Sequence, residues 1–278
     1  MSIKIVVDSA CDLPEALVKE NDITVIPLYI NAGGKAYLDG VDLSRQEFYR
    51  RMPGFNPPAT TAAPGPEVFC QVYERLAREG ASGIISIHIS SGLSSLVDSA
   101  RQGAAITTAV PVTVLDSQQL SMGIGFLALT AARAAARGSS MAEIEALVEE
   151  KIRRTHVFAA LDTLEYLKRS GRMNSITSLL GNLLQIKPIL RMYRGRPTSE
   201  KVRTRRRAVE RLLAILQSLG PVEEAALLHA NTLERAEDLL RQTSALLPGI
   251  NIVRSEISPV LGAHIGPGVI GFAVVTRP

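Results

Sequence analysis

The chain has 278 residues, which is enough for two domains, and its 46% apolar and 21% charged residues are typical of a globular protein and exclude a disordered one. Cys11 and Cys70 form no CxxC pair, and the four histidines show no metal-ligand spacing, so we expect no disulfide framework, no structural metal and a cytoplasmic protein. The uncharged stretch over residues 117–132 is too short to span a bilayer.

Short β-branched runs alternate with helical stretches through the first half of the chain. Strands are predicted over residues 3–7, 24–30, 84–89 and 112–115, and helices over residues 67–78, 93–108, 125–137 and 141–154. Asp12 and Ser44 each stand three residues before a glutamate, a spacing typical of capping boxes that predicts two further helices. Gly33-Gly34 indicates a turn, and the prolines of residues 53–66 indicate a loop. The alternation predicts a mostly parallel sheet with helices on both faces.

The second half has a different rhythm, in which hairpins mix with helices. Strands are predicted over residues 157–161, 225–229, 250–256 and 269–275, a hairpin over residues 186–193 and 197–202, and helices over residues 164–170, 176–184, 205–219 and 232–247. We therefore expect an α/β protein of two domains. Residues 1–154 form the mostly parallel N-terminal domain, and residues 155–278 form an α+β domain with a mixed or antiparallel sheet.

Residues 187–211 form a basic segment, with ten Lys and Arg against Glu200 and Glu210. The segment carries +8 and the remainder of the chain −4. Such a surface favours an acidic partner, an anionic membrane surface or a nucleic acid, although a solvated helix face explains it equally well. The chain has no Trp and only 4% aromatic residues, which leaves few surfaces for base stacking and counts against single-stranded nucleic acid.

Small polar groups follow three predicted strands of the first half, as Asp8-Ser9, Ser90-Ser91 and Asp116-Ser117. Open α/β sheets bind ligands at the carboxyl ends of their strands, although helix capping accounts for each pair by itself. Ser90-Ser-Gly-Leu-Ser-Ser95 stands just before a helix, where free N–H groups favour an anion. Residues 59–66 form a second hydroxyl-rich loop before a helix.

His264 lies between glycines in Gly262-Ala-His-Ile-Gly-Pro-Gly268. Glycine-rich backbone of this kind permits a ligand or another segment to approach closely, and an imidazole there can donate a hydrogen bond to an anion. Nucleotide motifs give no competing site. There is no GxxxxGK[ST], and the GxGxxA spacing that begins at Gly123 starts too far past its strand, so packing of glycines within a helix explains it better.

Seven motifs occur in order along nearly the whole chain. They are Asp8-Ser9 with Asp12-Leu-Pro14; Thr61-Ala-Ala-Pro64; Ser90-Ser-Gly-Leu-Ser94 with Ser99-Ala100; Asp116-Ser117 with Ser121 and Gly123-Ile-Gly125; Leu164-Glu-Tyr-Leu-Lys-Arg-Ser-Gly-Arg172; Ile186-Lys-Pro-Ile-Leu190; and His264-Ile-Gly-Pro-Gly268. In this order they resemble the DegV family. The resemblance implies a two-domain α/β fold that holds a lipid, and a role as the fatty-acid-carrying subunit of a bacterial fatty acid kinase.

In such a system a separate ATP-using subunit phosphorylates the bound carboxylate, so the resemblance implies a carrier that is not itself an enzyme and needs no cofactor. It implies that Thr61, Ser94 and His264 hold the carboxylate. The hydroxyl-rich loops add a wider shell, and the basic residues are candidates for docking the kinase. The wider shell is Thr60, Ser91, Ser95, Ser117 and Ser121, and the docking candidates are Arg172, Arg203 and Arg205.

The chain departs from the family pattern near the expected head-group site. The usual Thr-Ser pair is Thr61-Ala62, and the Gly-Thr that usually follows Ser94 is Ser95-Leu96. Both changes alter the number of hydrogen-bond donors. The usual Gly-Gly-Arg is Ser170-Gly-Arg172. Two other functions stay open. One is a serine hydrolase or acyltransferase using Ser94, His264 and Asp116, which lacks a GxSxG elbow; the other is a nucleic-acid-binding regulator using the basic segment.

Overall fold

The structure is a computed structural model that describes residues 2–175 and 186–278. The helix predicted over residues 176–184 lies outside the described residues. The elements of the first half are β1 (Ile3–Asp8), α1 (Glu15–Glu20), β2 (Ile23–Ile26), β3 (Tyr29–Ala32), β4 (Lys35–Leu38), α2 (Arg45–Arg51), β5 (Thr60–Ala62), α3 (Pro66–Arg78), β6 (Gly83–His88), α4 (Leu96–Ile106), β7 (Val112–Asp116), α5 (Met122–Ala136) and α6 (Met141–Ile152).

The second half follows the expected mixture of strands and helices. Its elements are β8 (Thr155–Ala160), α7 (Glu165–Arg169), β9 (Lys187–Tyr193), β10 (Arg196–Val202), α8 (Arg205–Ser218), β11 (Val222–His229), α9 (Leu233–Thr243), β12 (Ile252–Glu256), α10 (Pro259–Ile265) and β13 (Ile270–Thr276). Short 3-10 helices occur at Ser9–Cys11, Met52–Gly54 and Arg172–Ser175.

Two larger sheets organise the described part of the chain. The first has the order β2-β1-β6-β7 and is parallel throughout, as the strand–helix alternation predicts. All six residues of β6 are buried, as expected for a strand covered on both faces. The second sheet has the order β10-β9-β8-β13-β11-β12 and is mixed, because only β11 and β12 run parallel. The α/β fold with a mixed second sheet is confirmed, and the boundary at residues 154 and 155 stays a prediction.

A small antiparallel sheet, β4-β3-β5, corrects two predictions. The strand predicted over residues 24–30 is two strands, because Pro27 cannot donate a ladder hydrogen bond and the chain leaves the parallel sheet after Ile26. The predicted loop over residues 53–66 contains β5, in which Thr61 pairs with Ile30 of β3. This pairing fixes the position of the Thr61 side chain.

The capping box predicted at Asp12 is wrong, whereas the cap at Ser44 is confirmed. Ser44 accepts a hydrogen bond from the Glu47 N–H at the start of α2. Asp12 instead is fully buried with a positive φ of 55° and ends the first 3-10 helix. Helix α1 begins at Glu15 after Pro14 and has no side-chain cap. The buried Asp12 carboxylate forms hydrogen bonds with Ser121 and Ser258, which are distant in sequence, and therefore does not cap the helix.

Helix α5 is buried along most of its length and packs against strands of both larger sheets. Such a helix is apolar on all sides because it meets protein on all sides. A Cβ at Gly123 would lie 2.8 Å from Val157, and one at Gly125 would lie 3.1 Å from Leu13. The glycines therefore permit close packing, as the sequence indicated. One apolar core joins the two sheets around this helix, and a second lies between the mixed sheet and α8 and α9.

Candidate functional site

A cavity opens between the carboxyl ends of the parallel strands and the face of the mixed sheet. Its volume is about 150 Å³. The wall is mainly apolar. On the side of the parallel and small sheets it is formed by Ala10, Leu28, Ile89, Leu93 and Leu120, on the mixed sheet by Val157, Phe158, Ala159, Leu190, Met192 and Leu228, and beyond these by Leu161, Leu167, Pro197, Ile257, Val260, Leu261 and Ile265.

The β9–β10 hairpin closes one side of this cavity. Its tip is a turn at Arg194 and Gly195, both with positive φ. The Gly195 N–H donates a 3.0 Å hydrogen bond to the carbonyl of Gln118, in the loop that follows β7. The mixed sheet therefore reaches the loops of the parallel sheet, and the cavity lies between the two.

Thr61 and His264 lie together in the wall. In β5 the neighbours of Thr61 face solvent and the Thr61 side chain faces inward, because side chains alternate along a strand. His264 occupies the last turn of α10. Thr61 Oγ1 and His264 Nε2 share a hydrogen bond of 2.9 Å. Residues from the two halves of the chain thus form one polar contact in the wall of a mainly apolar cavity.

The His264 ring is neutral at physiological pH. Burial lowers its pKa to about 4, and the positive charge of Arg172 acts in the same direction. A neutral imidazole has one donor and one acceptor nitrogen. Nε2 is bonded to Thr61, whereas Nδ1 is buried and has no hydrogen-bond partner within residues 2–175 and 186–278. The pair therefore presents neutral polar groups and no charge of its own.

Ser94 lines the same cavity from the loop between β6 and α4. Its backbone N–H donates to the Ser90 carbonyl at 3.2 Å, which folds the loop back on itself. Its hydroxyl oxygen accepts a 3.3 Å hydrogen bond from the Leu96 N–H at the start of α4. Among the described residues the Ser94 hydroxyl has no acceptor, so its hydrogen is available for an anion in the cavity.

Arg172 also contributes to the wall, a position that the sequence did not indicate. The resemblance gave it only a docking role. Its side chain is largely exposed, and Nη1 donates to the Ser170 carbonyl at 3.3 Å. Its positive charge lowers the pKa of His264, which lines the same cavity. No motif spacing reveals this proximity, which depends on how α7 packs against α10.

The wider shell predicted from the sequence is only partly assembled. Ser121 lies in the cavity wall. Ser117 is buried, but its hydroxyl donates to the Gln119 carbonyl and stays within its own loop. Thr60, Ser91 and Ser95 are exposed and are not part of the wall. Thr60 points away because it neighbours Thr61 in a strand, and the Ser91 hydroxyl donates to Asp116.

The triad expected of a serine hydrolase is not assembled. The Ser94 hydroxyl accepts from Leu96, His264 is bonded to Thr61, and Asp116 accepts from Ser91. Each member therefore has a different partner. A nucleophilic serine needs its base within hydrogen-bond reach and an acid behind that base. This arrangement gives no support to the hydrolase alternative.

Arg191 is the charged residue of the basic segment that lines the cavity, and the other charged side chains of the segment lie outside it and are partly neutralised by ion pairs. Arg205 contacts Asp162 at 3.0 Å, Arg206 and Arg207 both contact Glu210, and Arg211 contacts Glu200. Arg203 and Arg205 are exposed near the start of α8. Ion pairs of this kind reduce the free positive charge, so the surface is less cationic than the sequence count of +8.

Neither a metal-binding cluster nor a helix able to span a membrane occurs within residues 2–175 and 186–278. Within them no group of three or more His, Cys, Asp or Glu side chains is placed to hold a metal ion. The same ranges contain no helix that combines the length and the apolar character needed to cross a bilayer.

Comparisons with known proteins agree on one family. A family model described as "Uncharacterised protein, DegV family" matches residues 2–277. A DegV domain-containing protein of Streptomyces coelicolor is 36% identical over 279 residues, covering 99% of each chain.

Two solved structures are similar over their whole length. The crystal structure of DegV, a fatty acid binding protein from Bacillus subtilis, has a TM-score of 0.91 and 30% identity, with 100% of both chains covered. A structure concerned with fatty acid binding of a DegV family protein from Thermus thermophilus has a TM-score of 0.89 and 34% identity, with the same coverage. On the family match over residues 2–277 and these whole-length similarities, the chain belongs to the DegV family.

Proposed function

We propose that this protein binds a long-chain fatty acid, with the carboxylate held by Thr61, Ser94 and His264 and the tail in the apolar cavity. The observation that carries the proposal is that these three side chains, from separate elements, line one mostly apolar cavity. It is supported by the relatives from Bacillus subtilis and Thermus thermophilus, both of which are described by fatty acid binding.

The polar end of the cavity suits a carboxylate. Burying an isolated carboxylate is costly, but hydrogen bonds to the charged form offset the cost. The Ser94 hydroxyl has a hydrogen to donate, and the Thr61–His264 pair adds neutral polar groups. Arg172 supplies a positive charge nearby, as its effect on the His264 pKa indicates.

The apolar wall suits an acyl tail. Each buried methylene contributes about 0.8 kcal/mol, so a sixteen-carbon tail contributes roughly 10 kcal/mol before the cost of ordering it. Side chains of the mixed sheet, such as Val157, Phe158 and Met192, form the wall that would contact it. The tail thus supplies most of the affinity, and the head group fixes the orientation.

We further propose that the protein is a carrier and that a separate ATP-dependent kinase subunit phosphorylates the bound carboxylate. Two features support this role. Ser94, His264 and Asp116 do not form a nucleophilic triad. Arg172 is exposed at the cavity wall, and Arg203 and Arg205 are exposed on a nearby basic surface that suits an acidic partner surface or, transiently, an anionic membrane.

Native mass spectrometry of protein purified from a bacterial host tests the binding. The expected result is a non-covalent adduct with the mass of a long-chain fatty acid, released by organic solvent and identified by its fragments. Absence of such an adduct, together with no binding of added palmitic or oleic acid, would overturn the proposal. A covalent acyl group on Ser94 would overturn the carrier role and favour an acyltransferase.

A further inference from the structure

Asp12 is a buried acid that the proposed binding of a carboxylate does not use. It is fully buried and follows the first 3-10 helix with a φ of 55°. One carboxylate oxygen, Oδ2, accepts a 2.5 Å hydrogen bond from the Ser121 hydroxyl, and the other, Oδ1, accepts a 2.8 Å hydrogen bond from the Ser258 N–H. Its backbone carbonyl accepts from the Ser255 hydroxyl at 2.5 Å. Asp12 therefore connects segments that are far apart in sequence.

Both partners of the Asp12 carboxylate lead directly to the cavity. Ser121 lines the cavity. Its backbone has φ 54° and ψ −146°, a conformation that residues other than glycine rarely adopt. Strained backbone persists only where surrounding contacts hold it. Ser258 immediately precedes α10, and His264 lies in the last turn of that helix. A single carboxylate thus fixes two parts of the cavity wall.

Other side chains of the first half hold the same segment before α10. The Tyr49 hydroxyl donates to the Ile257 carbonyl at 3.1 Å, and Arg45 Nη1 donates to the Glu256 carbonyl at 2.5 Å. A Cβ at Gly262 would lie 2.5 Å from Tyr49 Oη, so α10 approaches α2 as closely as glycine permits. Helix α10 is therefore seated on residues of the first half, and Asp12 binds its N-terminal end.

The hydrogen bonds at this point suit a carboxyl group, whereas burial disfavours its charged form. Burial raises the pKa of the Asp12 carboxyl, and the Arg45 guanidinium and the hydrogen bonds from Ser121 and Ser258 oppose that rise. Negative charge is favourable at the N-terminus of a helix, where backbone N–H groups are unpaired. The Asp12 carboxylate accepts the hydrogen bond that the Ser258 N–H donates. An apolar residue at position 12 would leave this N–H without a partner.

We infer that Asp12 is a positioning residue of the head-group site, because its carboxylate holds the Ser121 hydroxyl and the start of α10 and so fixes the His264 ring against Thr61. The inference rests on the proposed function for its ligand-binding consequence. Its consequence for the His264 ring does not depend on any lipid.

The test compares Asp12→Gly with Asp12→Asn. Glycine tolerates the positive φ and removes both hydrogen-bond acceptors, whereas asparagine also tolerates it and keeps an oxygen for the Ser258 N–H. Affinity for the fluorescent fatty acid cis-parinaric acid is expected to fall about tenfold in Asp12→Gly and to recover largely in Asp12→Asn. By NMR, the His264 ring signals shift in Asp12→Gly and its pKa rises from about 4 toward the ordinary value.

Tyr73→Phe is the matched control. It removes the 2.8 Å hydrogen bond to Ser86 in a buried site away from the cavity, so it lowers stability without touching α10. Affinity and the His264 signals are expected to match the wild type. Should Asp12→Gly fail to fold, Ser121→Ala removes the hydroxyl that donates to the Asp12 carboxylate and leaves that carboxylate in place, and changes in the same direction are expected.

Three outcomes separate the two ideas. Wild-type affinity together with wild-type His264 signals in Asp12→Gly, or in Ser121→Ala where that variant replaces it, overturns the positioning role. A wild-type protein that binds no cis-parinaric acid overturns the proposed function alone, since the His264 signals still decide the role of Asp12. Equal effects in Tyr73→Phe and Asp12→Gly would show only a general loss of stability and would also overturn it.

Discussion

Thr61 Oγ1 and His264 Nε2 lie 2.9 Å apart although 203 positions separate them in the sequence. One residue sits in a short strand of the first half, and the other ends a helix of the second half. The contact forms only when both halves are folded and α10 is seated on the small sheet. The polar end of the cavity is therefore a product of the tertiary fold.

Thr61→Val removes the hydroxyl and preserves the shape of the side chain. The His264 ring loses its partner, and a carboxylate loses one polar neighbour, so fatty acid affinity is expected to fall about tenfold. Isothermal titration with palmitic acid measures the change. Thr60→Val is the control, since Thr60 is exposed and outside the wall, and its affinity is expected to stay at the wild-type value. Equal losses in both variants would contradict the assignment of Thr61.

Ser94→Ala removes the hydroxyl that has a hydrogen free for an anion. A hydrogen bond to a charged group is worth about 1.5–3 kcal/mol, so affinity is expected to fall by at least about tenfold. Binding of a fatty alcohol of the same length, which has no carboxylate, is expected to change far less. Ser95→Ala alters an exposed serine one position along and is expected to have no effect. An unchanged affinity in Ser94→Ala would remove Ser94 from the site.

Stability is expected to fall as the pH drops from about 6.5 to about 4, partly through His264. Its pKa is about 6.5 in the unfolded chain and about 4 in the folded protein, so between these values the unfolded chain binds more protons. The contribution is complete above pH 6.5 and is lost as the pH falls through 4. Urea unfolding at several pH values is expected to show a shallower decline in His264→Gln. An identical slope in both proteins would contradict this.

Arg172 offers a separate test of the same ring. Because its positive charge lowers the His264 pKa, Arg172→Gln is expected to raise that pKa, as measured by NMR titration of the imidazole signals. Arg169→Gln is the control, since Arg169 is paired with Glu165 on α7 and is not part of the wall. A His264 pKa unchanged by Arg172→Gln would show that the two side chains do not interact in solution.

Arg203→Ala is expected to leave fatty acid binding unchanged and to reduce phosphorylation of the bound fatty acid by the proposed kinase subunit. Arg203 is exposed and outside the cavity, so palmitic acid affinity stays at the wild-type value, whereas acyl-phosphate formation with the kinase subunit falls severalfold at low salt. The effect is expected to shrink as salt rises. Arg241→Ala, on the exposed face of α9, is the control and leaves both quantities unchanged. Equal kinase activity in both variants would remove Arg203 from the docking surface.

The sequence predicts the parallel sheet well because its strands are short runs rich in β-branched residues that alternate with helices, and β6 is fully buried. It predicts Thr61, Ser94 and His264 as a group only through the family resemblance. Local pattern failed at Asp12, where the spacing to Glu15 imitates a capping box. A carboxylate that bonds to Ser121 and Ser258 leaves no local signal, since its partners lie 109 and 246 positions away.

The short strands could not be predicted from the sequence either. β5 has three residues among prolines, and it exists because β3 offers an edge to pair with. The same reason explains why Thr60, predicted for the wider shell, lies outside the cavity wall. Because side chains alternate along β5, Thr61 faces inward and Thr60 faces solvent. This difference can be predicted only when the strand is known.

A molecule lodged between the two sheets touches walls supplied by both halves of the chain. Any occupant that leaves on unfolding shifts the folding equilibrium by mass action, at about 2.7 kcal/mol when its free concentration is one hundred times its dissociation constant. The melting temperature of this protein should therefore report how full the cavity is. In a cell short of the occupant, empty molecules would unfold and be degraded sooner than filled ones.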